Sequence, residues 1–261
     1  MIKTFSLYVN NEKSKALEIC KKVKKELTTE GYILNDETPD VVIGFGGDGT
    51  LLRWLDLCKY NAQSKYIGVN CGTLGFMQDF DIRDPKEFVK NMPNYDEQKV
   101  YFAKLEVENR GEKYEFYSIN EFNLMNNMDK SFRVSVYIAS EFLENFVGTG
   151  LIFCTPTGST AHNISSVGSI IYPDIEMIQM TPSEAIVNRK IRCLPKSICI
   201  PKGIDVTLKP DNDSNIKIIS DGINVYDGEF EKVTVSYSNR CMIKLTDRKN
   251  SFIRKVREKL I

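Results

Sequence analysis

The sequence predicts an α/β amino-terminal domain with a mostly parallel sheet, followed by a carboxyl-terminal domain rich in β-strands. Two observations carry this prediction. Up to about residue 97, short apolar runs alternate with segments of helical periodicity, a pattern typical of βαβ units. Beyond that point, strand-like runs follow one another with little helix until the chain ends. We therefore expect domains over residues 1–97 and 98–246, and a terminal helix within 247–261.

In the first half, helical spacing and glycine stops locate the elements. Residues 12–30 predict an amphipathic helix with Ala16, Ile19, Cys20, Val23 and Leu27 inward, and Gly31 ends it. A second helix is predicted from Thr50 to about Tyr60, with Leu51, Leu52, Leu55 and Cys58 inward. A short third helix is predicted over 84–92, with Pro85 early in its first turn. Strands are predicted over residues 2–9, 32–34, 40–45 and 66–70.

In the second half, alternating apolar and polar residues predict strands over residues 100–109, 114–125, 132–140, 151–154, 203–210, 215–220, 223–227 and 232–238. Asp221-Gly222 joins two of these runs and is a strong signal for a hairpin turn. The closing stretch SFIRKVREKLI (251–261) is an amphipathic helix.

Composition excludes several classes of protein. Lys+Arg and Asp+Glu both number 35 among 261 residues, so no basic field indicates a nucleic-acid partner. No apolar run approaches the ~20 residues that span a membrane, and the amino terminus does not resemble a signal peptide. Seven scattered cysteines without a C-x-x-C pair favour reduced thiols in the cytoplasm. His162 is the only histidine, so acid–base chemistry must depend mostly on carboxylates.

The stretch GFGGDGT (44–50) is the first candidate for a functional loop. Gly44, Gly46 and Gly49 fit the G-x-G-x-x-G pattern of a dinucleotide-binding turn, but no acidic residue stands about 20 positions later to hold a ribose. An aspartate beside bound phosphate would repel it by a few kcal/mol at ~4 Å. Asp48 makes sense if a metal lies between the charges, or if Asp48 takes a proton from an attacking hydroxyl. The alternative is that Asp48 only caps the following helix.

Two further stretches are candidate ligand loops. Asn120-Glu121 interrupts an apolar strand, and an amide beside a carboxylate can bind sugar hydroxyls or an adenine edge. The loop Thr155 to Ala161 (TPTGSTA) follows a strand and concentrates hydroxyl groups and a glycine, which can surround a nucleotide. The alternatives are a polar pair at a strand end and a Ser/Thr-rich helix start.

Together these stretches resemble the NAD kinase family. The matching segments are GGDGT at 46–50, Asn120-Glu121 and TPTGSTAH at 155–162, supported by CGTLGF at 71–76 and FIRKVREKLI at 252–261. The resemblance covers nearly the whole chain, and the TPTGSTA loop makes it specific. It implies an α/β domain and a β-rich domain, with the terminal helix returning to the first domain.

The resemblance also implies an activity: transfer of the γ-phosphoryl group of ATP to the adenosine 2′-hydroxyl of NAD, giving NADP. Polyphosphate is an alternative donor in some members. A divalent metal, usually magnesium, and a homodimer or homotetramer are implied as well.

The implied site has a donor half and an acceptor half. Asp48 is the catalytic base, Gly46, Gly47 and Gly49 bind the donor phosphates, and Arg53 adds positive charge. Residues expected to bind the acceptor NAD are Phe76, Asn120, Glu121, Thr149, Thr160, Ala161, His162, Asn163 and Ser165.

The chain departs from the family pattern at two of these positions. Thr149 stands where the family usually has aspartate, so an interaction with the nicotinamide side is weakened. His162 replaces the tyrosine that usually closes the third loop; imidazole can stack on a base and titrates near neutral pH. These changes leave open a catalytically degenerate NAD(P)-binding protein.

A lipid kinase of the diacylglycerol or sphingosine type is the other alternative, because such kinases share the GGDGT loop. Their second signature, Gly-Thr-Gly-Asn-Asp, is not matched, since Gly150 is followed by Leu151.

Several other polar or aromatic residues are interpreted as structural. Asp221 is expected only to form the hairpin turn, and Trp54 is expected in the core. Asp79 and Asp81 are expected in a solvated loop.

Overall fold

The computed structural model describes residues 2–9, 14–72, 75–128, 130–211, 215–247 and 251–261. It divides into two compact units. The first unit comprises Met1–Val100 and Cys241–Ile261, and the second comprises Tyr101–Arg240. The predicted helix over 12–30 begins partly outside the described residues.

The first unit contains the alternating elements that the sequence predicts. They are β1 (Thr4–Val9), α1 (Ser14–Thr29), β2 (Ile33–Leu34), β3 (Val41–Gly46), α2 (Asp48–Leu57), β4 (Lys65–Asn70), α3 (Pro85–Asn91), the 3-10 turn Met92–Asn94 and α5 (Phe252–Leu260). Its sheet is parallel in the order β2-β1-β3-β4, and Lys244 and Leu245 extend it by pairing in parallel with β4.

The central strand of this sheet positions the glycine loop. All six residues of β3 are buried, as expected for a parallel strand with neighbours on both sides. Helix α1 buries Ala16, Cys20, Val23 and Leu27, as the helical spacing predicts. Helix α2 begins at Asp48, two residues before the predicted start at Thr50, so Asp48 lies inside the first turn. Leu52 and Cys58, which were predicted to face inward, are only half-buried.

The second unit is built almost entirely of strands. They are β5 (Asp96–Asn109), β6 (Glu112–Ser118), β7 (Glu121–Met125), β8 (Phe132–Ile138), β9 (Glu141–Gly148), β10 (Gly150–Cys154), β11 (Met177–Ser183), β12 (Ile198–Pro201), β13 (Val206–Pro210), β14 (Asn215–Ser220), β15 (Ile223–Glu229) and β16 (Lys232–Thr246). The 3-10 turn Thr157–Thr160 and the short helix α4 (His162–Ser165) follow β10.

These strands form two antiparallel sheets around one core. One sheet has the order β6-β5-β16-β13-β8-β9, and the other has the order β12-β11-β10-β7-β14-β15. Leu105 and Val206 from the first sheet and Phe122 and Phe153 from the second belong to the same buried cluster. The predicted fold class, α/β followed by β-rich, is therefore confirmed.

Strand boundaries differ from the prediction where polar side chains are buried. The run over 114–125, predicted as one strand, is divided between β6 and β7, which lie in different sheets, and the chain crosses at Ile119 and Asn120. Strands β9, β11 and β12 were not predicted. In β11, Gln179 and Thr181 are buried, so the strand shows no alternation of apolar and polar residues. The Asp221-Gly222 hairpin is confirmed, with both residues at positive φ.

No helix in the described part of the chain has the length and apolar composition needed to cross a membrane.

Candidate active site

The glycine loop lies at the carboxyl end of β3, where it turns into α2. Carboxyl ends of parallel strands are the usual ligand-binding edge of an open sheet. A side-chain carbon added at Gly47 or Gly49 would meet no atom within 4 Å, so the loop leaves open space beside the first turn of α2. Free backbone N–H groups in a first helical turn favour an anion there. The loop therefore suits phosphate.

Asp48 is held by the backbone of a second loop. Its Oδ2 accepts the N–H of Phe76 at 2.8 Å, and its Oδ1 accepts the N–H of Met77 at 3.0 Å. A Cβ on Gly75 would lie 2.2 Å from Oδ1, so only glycine permits this approach. Helix α2 is capped by Gly47 without a side-chain bond, so the alternative in which Asp48 only caps the helix is wrong.

The side chain of Gln78 forms a hydrogen bond with the backbone of the glycine loop. Its Nε2 donates to the carbonyl of Gly47 at 3.0 Å and to the Tyr66 hydroxyl at 3.4 Å. Tyr66 is fully buried and stacks on Trp54 with ring centroids 5.0 Å apart. Trp54 is half-buried and makes this contact within the first unit, in line with its interpretation as a packing residue.

Helix α5 packs on the loop that holds Asp48, which confirms that the terminal helix returns to the first domain. The buried Lys255 donates to the Phe76 carbonyl at 2.6 Å and also to Asp79 Oδ1. Lys244 contacts Asp79 Oδ2 at 3.0 Å. Burial, followed by the neighbouring Lys244, lowers the pKa of Lys255.

The solvated-loop interpretation of Asp79 is therefore wrong, because two lysines offset its burial; Asp81 is exposed, as expected. The spacing of polar residues in MQDFDIRD gave no indication of lysines more than 160 positions away.

The structure also places two other predicted site residues of the first unit. Arg53 is exposed on α2. Phe76 is half-buried beside Phe252, with ring centroids 6.3 Å apart.

A cavity of about 810 Å³ lies at the opposite edge of this parallel sheet. Lys3, Ile33 and Lys65, which stand at the amino-terminal ends of strands, line it. We place the candidate site at the glycine loop, because the carboxylate and the free helix N-terminus lie there.

In the second unit, Asp221 organises the segment that contains Asn120 and Glu121. Its Oδ1 accepts the Ser118 hydroxyl at 2.6 Å and the Asn120 N–H at 2.8 Å, and its Oδ2 accepts the Ile119 N–H at 2.9 Å. The expectation that Asp221 only forms a turn is therefore wrong. The Asp-Gly pair predicted a hairpin turn, and the aspartate of such a turn is normally solvated, so nothing in the sequence indicated this role.

Glu121 is a buried carboxyl group beside Asp221. No hydrogen-bond partner of its Oε2 is found among the described residues, while the backbone N–H of His162 bonds to the carboxyl group. Burial, and secondly the charge of Asp221, raise the pKa of Glu121 to about 8. At neutral pH the group is mostly protonated, so it can donate a hydrogen bond as well as accept one.

The TPTGSTA loop packs directly on this segment. The Thr155 hydroxyl donates to the Ile119 carbonyl at 2.5 Å, and a Cβ on Gly158 would lie 2.0 Å from the Asn120 carbonyl oxygen. The Ser159 hydroxyl donates to the Pro156 carbonyl at 2.6 Å. The hydroxyl groups of Thr155 and Ser159 thus donate to backbone carbonyls of the protein itself. Thr160 and Ala161 are half-buried and so remain partly accessible.

The remaining predicted residues differ in accessibility. His162 and Ser165 are exposed on α4. Asn163 is buried: its Nδ2 donates to Gln179 Oε1 at 3.0 Å, and its Oδ1 accepts the Thr181 hydroxyl at 2.7 Å. Exposed Thr149 donates to Glu184 Oε2 at 2.6 Å. Thr149 carries no charge itself, but a carboxylate lies one hydrogen bond away.

Family models match both halves of the chain. The ATP-NAD kinase N-terminal domain matches residues 4–98, and the ATP-NAD kinase C-terminal domain matches residues 120–245. The chain belongs to the NAD kinase family. This confirms the resemblance and the class of enzyme that the sequence predicted.

Individual relatives agree with this assignment. An NAD kinase of Lactobacillus gasseri is 34% identical over 86% of this chain and 85% of its own length. An NAD kinase of Finegoldia magna is 30% identical over 99% of this chain and 98% of its own.

Two solved structures share the fold of this NAD kinase family member. Yeast NADH kinase complexed with NADH superposes with a TM-score of 0.85 at 20% identity, covering 99% of this chain and 87% of the yeast chain. An NAD kinase from Archaeoglobus fulgidus in complex with ATP gives a TM-score of 0.75 at 17% identity, covering 98% of each chain.

Proposed function

We propose that the chain transfers the γ-phosphoryl group of ATP to the adenosine 2′-hydroxyl of NAD, forming NADP. The observation that carries this proposal is the placement of Asp48. Its carboxylate is held by two backbone N–H groups beside an open glycine loop at a helix N-terminus. Phosphoryl transfer needs this combination, because the donor phosphates must be bound and the attacking hydroxyl must lose its proton.

In the first unit, Gly46, Gly47 and Gly49 bind the donor phosphates at the start of α2, where Gly47 and Gly49 leave open space, and Asp48 accepts the proton of the 2′-hydroxyl. Arg53, exposed one turn along α2, adds positive charge. Phe76 packs against the adenosine.

In the second unit, NAD is bound around Asn120 and Glu121. Asp221 fixes the backbone at Asn120, so the amide side chain starts from a rigid position. The exposed or half-buried residues Thr149, Thr160, Ala161, His162 and Ser165 can contact NAD directly. Asn163 is a positioning residue, because its side-chain amide is bonded to Gln179 and Thr181.

The divalent metal that the family implies fits a site completed by substrate. Among the residues that the structure describes, no group of three or more His, Cys, Asp or Glu side chains converges on one point. Magnesium typically retains waters and binds one or two carboxylates together with substrate phosphates. The donor phosphates would hold the ion at the glycine loop, where it would offset their negative charge, and Asp48 would remain the proton acceptor beside it.

A coupled assay tests the proposed function. Purified protein is mixed with NAD, ATP and magnesium, and NADP is detected by a dehydrogenase that uses only NADP. We expect NADP to accumulate in proportion to enzyme. Binding of NAD by calorimetry without NADP formation from ATP or polyphosphate would instead identify a degenerate binding protein. Phosphorylation of diacylglycerol in place of NAD would identify a lipid kinase.

Gly49→Ala should weaken the binding of ATP without lowering the stability of the fold. Gly49 is exposed in the first turn of α2, and an added methyl group meets no protein atom. Alanine favours helix over glycine, so stability should rise by about 0.5–1 kcal/mol. The methyl group would occupy the space proposed for phosphate, so the KM for ATP should rise roughly tenfold or more. Thermal unfolding and steady-state kinetics measure the two effects.

Gly31→Ala is the matched control for this variant. Gly31 has φ +86°, which penalises alanine, and lies at the end of α1 away from the loop. It should lose about 1 kcal/mol of stability and keep its KM for ATP. An unchanged KM in Gly49→Ala would remove Gly49 from the donor site.

A further inference from the structure

The last turn of α5 places a cation beside the proposed base. Lys259 Nζ lies 3.9 Å from Asp48 Oδ2 and 4.7 Å from the centre of the Phe76 ring. The distance to Asp48 is too long for a hydrogen bond. Among the described residues, no oxygen accepts a hydrogen bond from this ammonium, and 28% of the side chain is exposed. Its three N–H donors therefore remain available to a ligand beside Asp48.

Lys259 is held in place although it is near the end of the chain. Phe252, Lys255 and Lys259 follow at helical spacing on one face of α5. All three contact Phe76: Phe252 through its ring, Lys255 through the Phe76 carbonyl, and Lys259 over the ring face. Because Lys255 is buried and paired with Asp79, α5 is anchored one turn before Lys259. The Lys259 ammonium thus packs on the same loop whose N–H groups bond to Asp48.

The geometry of phosphoryl transfer brings the phosphoryl group within reach of this cation. A base contacts the attacking oxygen at about 2.6–3.2 Å, and the reacting atoms approach to roughly 3–3.5 Å. The phosphorus must therefore pass within roughly 6 Å of the Asp48 carboxylate. The Lys259 ammonium lies 3.9 Å from one oxygen of that carboxylate, so the ammonium and the phosphoryl group would be neighbours of the same base.

We propose that Lys259 is a further catalytic residue that binds the transferred phosphoryl group and neutralises its charge. This inference rests on the proposed function. In the step, the bond between the γ-phosphorus and its bridging oxygen breaks, and ADP leaves with the electron pair. The 2′-oxygen of NAD bonds to phosphorus, and its proton passes to Asp48. Lys259 keeps its proton throughout. A simple ion pair with Asp48 would contribute little at this distance and exposure.

Three variants of the full-length protein test the inference. Lys259→Met removes the charge and keeps the length of the side chain, and Lys259→Arg restores the charge. Arg257→Met is the matched control, because Arg257 is an exposed cation in the same helical turn. The measurements are kcat, the KM values for ATP and NAD, and the melting temperature of the ligand-free protein. Inhibition by ADP with aluminium fluoride, which mimics the transferred phosphoryl group, is compared with inhibition by ADP alone.

We expect Lys259→Met to lower kcat about 100-fold, the scale seen when one donor to developing charge is removed. Inhibition by ADP with aluminium fluoride should weaken by a similar factor, while inhibition by ADP alone, the KM for NAD and the melting temperature stay unchanged. Lys259→Arg should recover most of kcat, and Arg257→Met should match the wild type. These results together support the inference.

Other outcomes overturn it. An active wild type with unaffected Lys259→Met removes Lys259 from catalysis and leaves the proposed function standing. An equal loss in Arg257→Met would mean that overall helix charge, not contact, is responsible. A loss of kcat that follows a lowered melting temperature and leaves inhibition by ADP with aluminium fluoride unchanged would assign Lys259 a structural role. Absence of NADP formation by the wild type overturns the proposed function itself.

Discussion

Asp48→Asn is expected to lower kcat by about 1,000-fold, within the range attributed to a general base. Asparagine cannot accept the proton of the 2′-hydroxyl. NAD affinity should stay within a few-fold of wild type, because Phe76 is the one residue proposed to bind NAD whose bond to Asp48 is described, and the others, such as Asn120 and Glu121, lie elsewhere in the chain. Steady-state kinetics measure kcat, and calorimetry measures NAD binding.

The structure adds a second effect of the same variant. Both carboxylate oxygens of Asp48 accept backbone N–H groups, from Phe76 and Met77. In asparagine one of these oxygens becomes an NH2 group, so a donor faces a donor, at a cost of about 1–3 kcal/mol. The free energy of unfolding should therefore fall by that amount.

Asp84→Asn is the matched control for Asp48→Asn. Asp84 also accepts two backbone N–H groups, from Lys86 and Glu87, but it does so as the cap of α3 and with Oδ1 alone, so asparagine can keep both bonds. It removes the same charge from the same unit and should leave kcat unchanged. Turnover close to wild type in Asp48→Asn would remove Asp48 from the mechanism. A similar loss of kcat in both variants would show that the loss of a negative charge from this unit, not proton transfer, is responsible.

Glu121→Gln is expected to change how stability depends on pH. The pKa of Glu121 is raised from 4.5 to about 8 by burial and by Asp221. Below pH 4.5 the carboxyl group is protonated in both folded and unfolded chains. Between pH 4.5 and 8 the unfolded chain ionises while the folded chain retains its proton, so this group makes the free energy of unfolding decrease as pH rises. Above pH 8 the group is ionised in both states and the decrease ends.

Glutamine keeps the neutral shape and does not ionise. At about 1.4 kcal/mol per pKa unit, the wild type should lose about 2–4 kcal/mol more than Glu121→Gln between pH 5 and 8. Urea unfolding across this range measures the difference. Glu112→Gln, at an exposed position on β6, should follow the wild type. Parallel curves for Glu121→Gln and wild type would show that Glu121 is ionised in the folded protein.

Several elements were predictable because their determinants are local. Helix α1 and the Asp221-Gly222 hairpin follow from residue spacing and turn chemistry within a few positions. Strands β9 and β11 were missed because the burial of their polar groups, Glu144 in β9 and Gln179 and Thr181 in β11, depends on distant partners. Gln179 and Thr181, for example, are buried in β11 because Asn163 of α4 bonds to both.

The residues of the candidate site also fall into two groups, those indicated by a local motif and those that act through distant contacts. Asp48, Asn120-Glu121 and the TPTGSTA loop stand in short contiguous stretches, and these also carried the family resemblance. No motif indicated the contacts of Asp221, Gln78, Lys255 and Lys259, although the two lysines stand in the matching segment at 252–261. Each acts on a segment far along the chain: Asp221 lies 101 positions from Asn120, and Lys255 lies 179 positions from Phe76.

The sequence by itself determined the fold class, the family, the glycine loop and the alternating elements of the first unit, because periodicity, turn residues and motifs are properties of short stretches of sequence. The tertiary structure alone decided which groups hold those motifs. A carboxylate such as Asp48 receives its hydrogen-bond donors from wherever folding brings a backbone N–H or an ammonium. Burial of Glu121 beside Asp221, and of Asp79 between two lysines, depends on chain packing that no short window of sequence contains.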